Sequence, residues 1–295
     1  MAALAAVHNP VDPKETLLFF CAQDQQVGLS PRKEDADEPG SPPKFHNPAA
    51  GAPVEDTPTS GIPMLVDNPK NVETPKGVIK NPSCFGAIFY KSLVCVYGIR
   101  TDDVICLVSP AFQPLKSNPT TKHSLAACGD GKKIGWLYYL TQDPPVISEY
   151  RLDPGASTII QAQPKPDTYL CAFYANPKRY VIYQVATGLA IVDVASGQGG
   201  EIRNTGSAKP KTPMCVVNNK GIIYLYYCDK ENNLMRIVQK NGIWKNNDLV
   251  DGAPVAANGT QMAVTATTDG SSNMLFYIAQ GGDGKYIRYM DPIDS

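Results

Sequence analysis

Residues 214–250 read MCVVNNKGIIYLYYCDKENNLMRIVQKNGIWKNNDLV. A short run of small and branched residues, Met214 to Val217, turns back at a Gly into the aromatic run Tyr224 to Cys228. Asp229 to Asn233 then separates that run from Leu234 to Gln239, and Ile243 to Val250 is a candidate fourth strand. Gly, Asp and Asn at these junctions suit tight hairpins, so the stretch predicts one small antiparallel sheet.

The same order recurs six times along the chain. The short first strands are Leu4 to Val7, Phe85 to Phe89, Leu125 to Cys128, Leu170 to Phe173, Met214 to Val217 and Met262 to Ala266. The second, often aromatic, strands begin at Leu17, Leu93, Trp136, Tyr180, Tyr224 and Met274. Third strands follow at Val146 to Leu152, Leu189 to Val194, Leu234 to Gln239 and Lys285 to Met290, with Ser157 to Gln163 a further candidate fourth strand. A period of roughly 40 to 50 residues with three or four strands each is that of a propeller blade. The chain therefore predicts an all-β fold, a single six-bladed propeller over residues 1–295. First strands rich in Ala, Cys and Gly fit the crowded axis, and aromatic second strands fit the packing between blades.

Only the first step breaks the period. Residues 31–80 form a long Pro-rich insertion after the first strands, with Ile62-Pro63-Met64-Leu65-Val66 as its one apolar cluster. The expectation is a loop, or a flap over one end of the propeller pinned by that cluster.

Bulk composition narrows the function classes. The 27 Lys and Arg against 28 Asp and Glu leave a net charge of -1, with no basic footprint for nucleic acid. The longest apolar runs are far shorter than the ~20 residues of a membrane helix. Eight Cys without a Cys-x-x-Cys pair, and three dispersed His, give no metal or cofactor pattern. The even Cys count permits disulfides, yet most of these Cys sit among apolar residues, where free thiols commonly pack. Asn258-Gly259-Thr260 fits the N-glycosylation pattern, and a secretory route with its leader removed is favoured over a cytoplasmic one.

The repeats resemble the fungal fucose-specific lectins. The matching segments are Ile223 to Cys228 with Glu231 to Leu234 and Gly242-Ile243-Trp244, and Leu137-Tyr138-Tyr139 with Ile147 to Tyr150. The resemblance implies six blades with sugar sites between neighbours, each gripped by an Arg and a Glu and covered by an indole. At the Arg position this chain has Leu18, Leu93, Trp136, Tyr180, Tyr224 and Met274; at the Glu position it has Glu149, then Val192, Ile237 and Tyr289. Arg179, Arg236 and Arg288 lie close to the expected places. The reading at this level is that five of six blades have lost the charged grip, leaving more apolar pockets.

Within that group the chain is similar to the lectin-like hetero-Diels-Alderases of tropolonic sesquiterpene biosynthesis. That resemblance implies a cofactor-free pericyclase joining a tropolone o-quinone methide to a humulene-type alkene. The expected walls are Trp136, Glu149, Tyr150, Tyr180, Trp244 and Tyr289, and the expected hydrogen-bonding or proton-moving groups are Arg151, Arg288, Tyr224 and His123. The alternatives are a lectin with fucose-type or altered sugar specificity at Trp136 and Glu149, and a propeller interaction module. Expected partners are small hydrophobic substrates or carbohydrate, with a homodimer as the candidate assembly and neither nucleic acid nor a membrane span.

Overall fold

A strand sandwiched between two sheets has no polar face to show, and the aromatic runs behave in that way. The computed structural model describes residues 3–22, 25–34, 77–120, 123–175, 177–282, 284 and 286–293, together with the backbone of 44–46 and 64–65. These residues form six four-stranded antiparallel sheets. Blade 1 comprises β1 (Leu4–His8), β2 (Glu15–Cys21) and β3 (Val27–Lys33). Blade 2 comprises β6 (Gly86–Tyr90), β7 (Leu93–Ile99), β8 (Ile105–Ser109) and β9 (Gln113–Pro114). Blade 3 is β10 (Leu125–Gly129), β11 (Gly135–Thr141), β12 (Val146–Arg151) and β13 (Ala156–Ile160). Blade 4 is β14 (Cys171–Ala175), β15 (Lys178–Val185), β16 (Gly188–Asp193) and β17 (Gly199–Ile202). Blade 5 is β18 (Met214–Asn219), β19 (Ile222–Cys228), β20 (Leu234–Lys240) and β21 (Ile243–Leu249), and blade 6 comprises β22 (Ala263–Ala266), β23 (Ser272–Ile278) and β24 (Tyr286–Pro292).

The all-β, six-bladed expectation therefore holds. The first three strands of each sheet run in sequence order from the axis outward, and burial peaks at the second strand and is least at the outermost. Every residue of β11 is buried, whereas the outer β13 and β21 are mostly exposed. Alternation explains the packing: Leu137 and Tyr139 face blade 2 while Trp136, Tyr138 and Leu140 face blade 4. Six apolar clusters result, one at each junction between neighbouring blades. Burying one such Leu contributes roughly 1.5–3 kcal/mol.

At the axis, Ala6, Ala87, Ala127, Ala172, Val216 and Val264 occupy one register position in six blades and line a central cavity of about 120 Å³. Small residues are required there. A Cβ added at Gly86 would lie 3.0 Å from the Ala127 Cβ of the next blade.

The insertion supplies two outer strands. β5 (Met64–Leu65) pairs with β3 through Leu65 and Met64 opposite Gly28 and Leu29, which completes blade 1. β4 (Lys44–His46) pairs with β24, with His46 opposite Tyr286, and so completes the last blade with chain that follows the first. Of the expected apolar pin, Ile62, Pro63 and Val66 lie outside the described residues. The irregular stretch also begins later than expected, because Pro31 to Lys33 belong to β3.

Candidate functional site

The face that blade 3 turns toward blade 4 carries Trp136, Tyr138 and Leu140 from β11. Antiparallel pairing sets Arg151, Glu149 and Ile147 of β12 directly opposite them. From the other side, β15 presents Arg179, Val181 and Tyr183, three alternate residues of one strand face. The Glu149 side chain is only 7% exposed, and it accepts bonds from Arg179 Nε at 2.7 Å, Arg179 Nη2 at 3.1 Å and the Tyr138 hydroxyl at 2.9 Å. A bidentate guanidinium is the partner that makes a buried carboxylate tolerable. The hydrogen bonds it donates to Glu149 hold the Arg179 guanidinium above its usual range, and burial pushes the Tyr138 phenol up.

The indole of Trp136 packs against two flat groups that are cross-strand partners on blade 4. The Arg179 guanidinium lies 5.0 Å from its centroid, and the Tyr174 ring is stacked at 5.9 Å. Beside them is a cavity of about 400 Å³ lined by Trp136, Glu149, Arg151, Pro154, Thr158 and Arg179 among others. That volume lies within the ordinary range of small-ligand sites.

The structure brings Trp136, Glu149 and Arg151 together and distributes the other expected residues over further junctions. Tyr150 points to the opposite face of β12 and packs between blades 2 and 3. Tyr180 stacks on Phe173 at 4.9 Å between blades 4 and 5, where Trp244 of β21 also packs. Tyr224 and Tyr289 are buried between blades 5 and 6, and the Tyr289 hydroxyl donates to the Asp251 carbonyl. Arg288 donates from Nη1 to the Lys33 carbonyl at 2.6 Å, joining blade 6 to blade 1. His123 is exposed just before β10.

Strand register also corrects the repeat alignment. Glu149 stands opposite Tyr138; the residues in that position elsewhere are Ile191, Arg236 and Arg288, rather than Val192, Ile237 and Tyr289. At the neighbouring second-strand position, Leu17 and Cys95 replace Leu18 and Leu93. The physical cause is turn length, since two residues join β15 to β16, four join β11 to β12 and five join β19 to β20. A one-residue slip exchanges the two faces. Register thus places a charged residue at this position in blades 5 and 6, and an isoleucine in blade 4. Between blades 5 and 6, Arg236 Nη1 donates to both Asp291 oxygens at 2.9 Å, and the Tyr226 hydroxyl donates to the same carboxylate at 2.6 Å. Asn273 donates to the Tyr226 oxygen at 2.8 Å and accepts from Asn219 at 2.9 Å.

Sequence reasoning left Arg179 outside the site. Its signal was the strand period: it lies two residues before Val181 and so shares the face that meets blade 3. The eight cysteines are all free and buried.

Two curated relatives are similar over nearly the whole chain. The wall-associated proteinase of Coccidioides immitis is 30% identical over 98% of this chain and 95% of its own length; that of Coccidioides posadasii is 28% identical over the same shares. No family model matches. Among solved structures, the SapL1 lectin in complex with α-methyl fucoside has a TM-score of 0.66 at 13% identity, covering 98% of this chain and 92% of its own. The six-bladed fucose-recognising lectin of Aleuria aurantia has a TM-score of 0.60 at 13% identity, covering 99% and 95%. A triple-arginine mutant of AofleA from Arthrobotrys oligospora has a TM-score of 0.63 at 15% identity, covering 95% and 80%. At such identities the solved structures speak for the fold alone.

Proposed function

The chain belongs to the family of the Coccidioides wall-associated proteinases, and from that premise we propose that it is a wall-associated carbohydrate-binding propeller with its site between blades 3 and 4. The observation that carries the reading is the convergence of one buried carboxylate, the guanidinium groups of Arg179 and Arg151, and one indole on a single cavity. A carboxylate and a guanidinium satisfy neighbouring sugar hydroxyls with charge-assisted bonds. An indole covers the apolar face of a pyranose. The Glu149–Arg179 pair is already fixed by Tyr138, so little ordering cost remains on binding. The lectin-type fold adds support.

The test is a neutral glycan array read with the native protein and with Trp136→Ala and Arg179→Met. Retention of at least one glycan by the native chain, weakened about tenfold or more in both variants, is expected. Clean flow-through from the array and from fucose-agarose at high protein concentration overturns it.

The relatives' name supports peptide-bond hydrolysis as a second reading. Casein hydrolysis that co-elutes with the purified chain would favour it. A cofactor-free pericyclase would use the apolar part of the same cavity, Ile134, Pro154 and Ala156. Incubation with a hydroxymethyl tropolone and hydroxyhumulene separates it: yield and stereochemistry equal to the buffer control eliminate that chemistry.

A further inference from the structure

The Trp136 cavity has a neighbour along the same junction. Past the end of β13, Gln161, Gln163, Tyr183, Gly197, Gly199 and Gly200 surround a second cavity of about 420 Å³. Tyr183 lies on the same face of β15 as Arg179, and both belong to the wall that blade 4 turns toward blade 3. The two cavities therefore occupy one interblade cleft. From Thr158 in the first to Ala162 in the second is four residues, or about 13 Å at the rise of an extended strand. That distance exceeds one sugar ring and suits a short chain of them.

The second cavity differs from the first in chemistry. No charged side chain lines it. The Tyr183 ring forms one wall, and its hydroxyl makes no hydrogen bond among the described residues, nor do the exposed side-chain amides of Gln161 and Gln163. The glycines keep the opposite side low, and a Cβ at Gly197 or Gly200 would meet nothing within 4 Å. One aromatic face, two free amides and an uncharged floor suit a neutral polyhydroxylated ring. They offer no counter-charge to a phosphate or a carboxylate.

We infer that the cleft between blades 3 and 4 binds a neutral oligosaccharide chain of three or more units, one end held at Trp136, Glu149 and Arg179 and the other at Tyr183, Gln161 and Gln163. This rests on the carbohydrate-binding reading and extends it from one sugar to a chain. Two linked subsites convert the second contact into an intramolecular one, so affinity grows with chain length until both are filled.

The experiment is an array of neutral glycans from mono- to hexasaccharides, followed by calorimetry on the best series with native protein, Gln161→Ala/Gln163→Ala and Tyr183→Phe. The expected result is about a tenfold gain in affinity from the monosaccharide to the tetrasaccharide, falling to within about twofold in the double variant. Both glutamines are exposed, so the double variant retains its fold, and circular dichroism checks this. Equal affinity for mono- and tetrasaccharide overturns the second subsite while leaving a single-sugar lectin. Binding to no glycan removes the underlying reading as well. Retention of unfolded casein in place of any glycan, abolished by the same variants, assigns the cleft to peptide and overturns the proposal.

Discussion

Removing Arg179 should destabilise the propeller more than neutralising Glu149, although the two belong to one pair. Arg179→Met strips two of the three bonds from a carboxylate that is 7% exposed, leaving it only the Tyr138 hydroxyl. Breaking a buried pair from one side costs 3–5 kcal/mol, and the 22% exposure of the Arg179 side chain places this case near the lower end, at about 3 kcal/mol. Glu149→Gln keeps the volume and one acceptor oxygen, and the guanidinium it leaves behind reaches water, so the loss is about 1 kcal/mol. For a chain of this size these correspond to midpoint shifts of about 6 and 2 °C. The double variant should lose less than the sum, because the second change removes the charge stranded by the first. Urea unfolding at constant m-value gives all three free energies. A larger loss from Glu149→Gln than from Arg179→Met, or strict additivity, would refute the account of the pair.

Three further outcomes follow from buried groups. Burial lowers the His8 pKa below its ordinary 6.5, against the opposing charge of Glu34, in a cavity it shares with Lys220. The unfolded chain then binds the proton first, so stability present above pH 6.5 should fall as the pH drops toward the folded pKa, and His8→Gln should flatten that slope in urea titrations. All eight cysteines are buried, and burial pushes thiols such as Cys84 to about 11 and Cys128 to about 12. Ellman's reagent at pH 8 should label none in the native protein and eight in guanidinium; rapid native labelling contradicts the packing. Tyr226→Phe removes the hydroxyl linking Asn273 to Asp291 and should cost about 1–3 kcal/mol by denaturant titration, with no loss indicating a network that does not depend on it.

The blades were legible in the chain because each second strand is packed on both faces and so reads as an unbroken apolar run, as Trp136 to Leu140 does. Trp136 and Glu149 were legible for the same reason, since they sit at marked positions of one repeat. Arg179 was not, because its partner is 30 residues away on the next blade and only register brings them together. Register itself was hidden by unequal turns, which moved Arg236 and Arg288 by one place and therefore to the other face. The outer strands β4 and β5 are two or three residues long inside a Pro-rich stretch, too short to show any period. His8 carried no signal either; its burial depends on chain far away, at Ala266 and Thr267 of blade 6.

The protein contains its own control for whether the fold needs a charged pair at this junction. At the position Glu149 holds, blade 4 has Ile191; at the position Arg179 holds, blade 5 has Ile223, and these two belong to the apolar cluster between blades 4 and 5. A sixfold scaffold that closes with two isoleucines at one junction does not require a carboxylate and a guanidinium at the next. Buried ion pairs seldom improve on well-packed apolar residues, and replacing one often leaves stability unchanged or raises it by 1–4 kcal/mol. The double variant Glu149→Ile/Arg179→Ile should therefore fold with stability equal to or above the native chain, while losing whatever glycan the native chain retains. Denaturant titration and the glycan array read the two halves separately. If the variant unfolds outright, the pair is a structural clamp peculiar to this junction; if it folds and still binds glycan with native affinity, the site lies elsewhere. Folding with loss of binding is the outcome that assigns the charges to recognition.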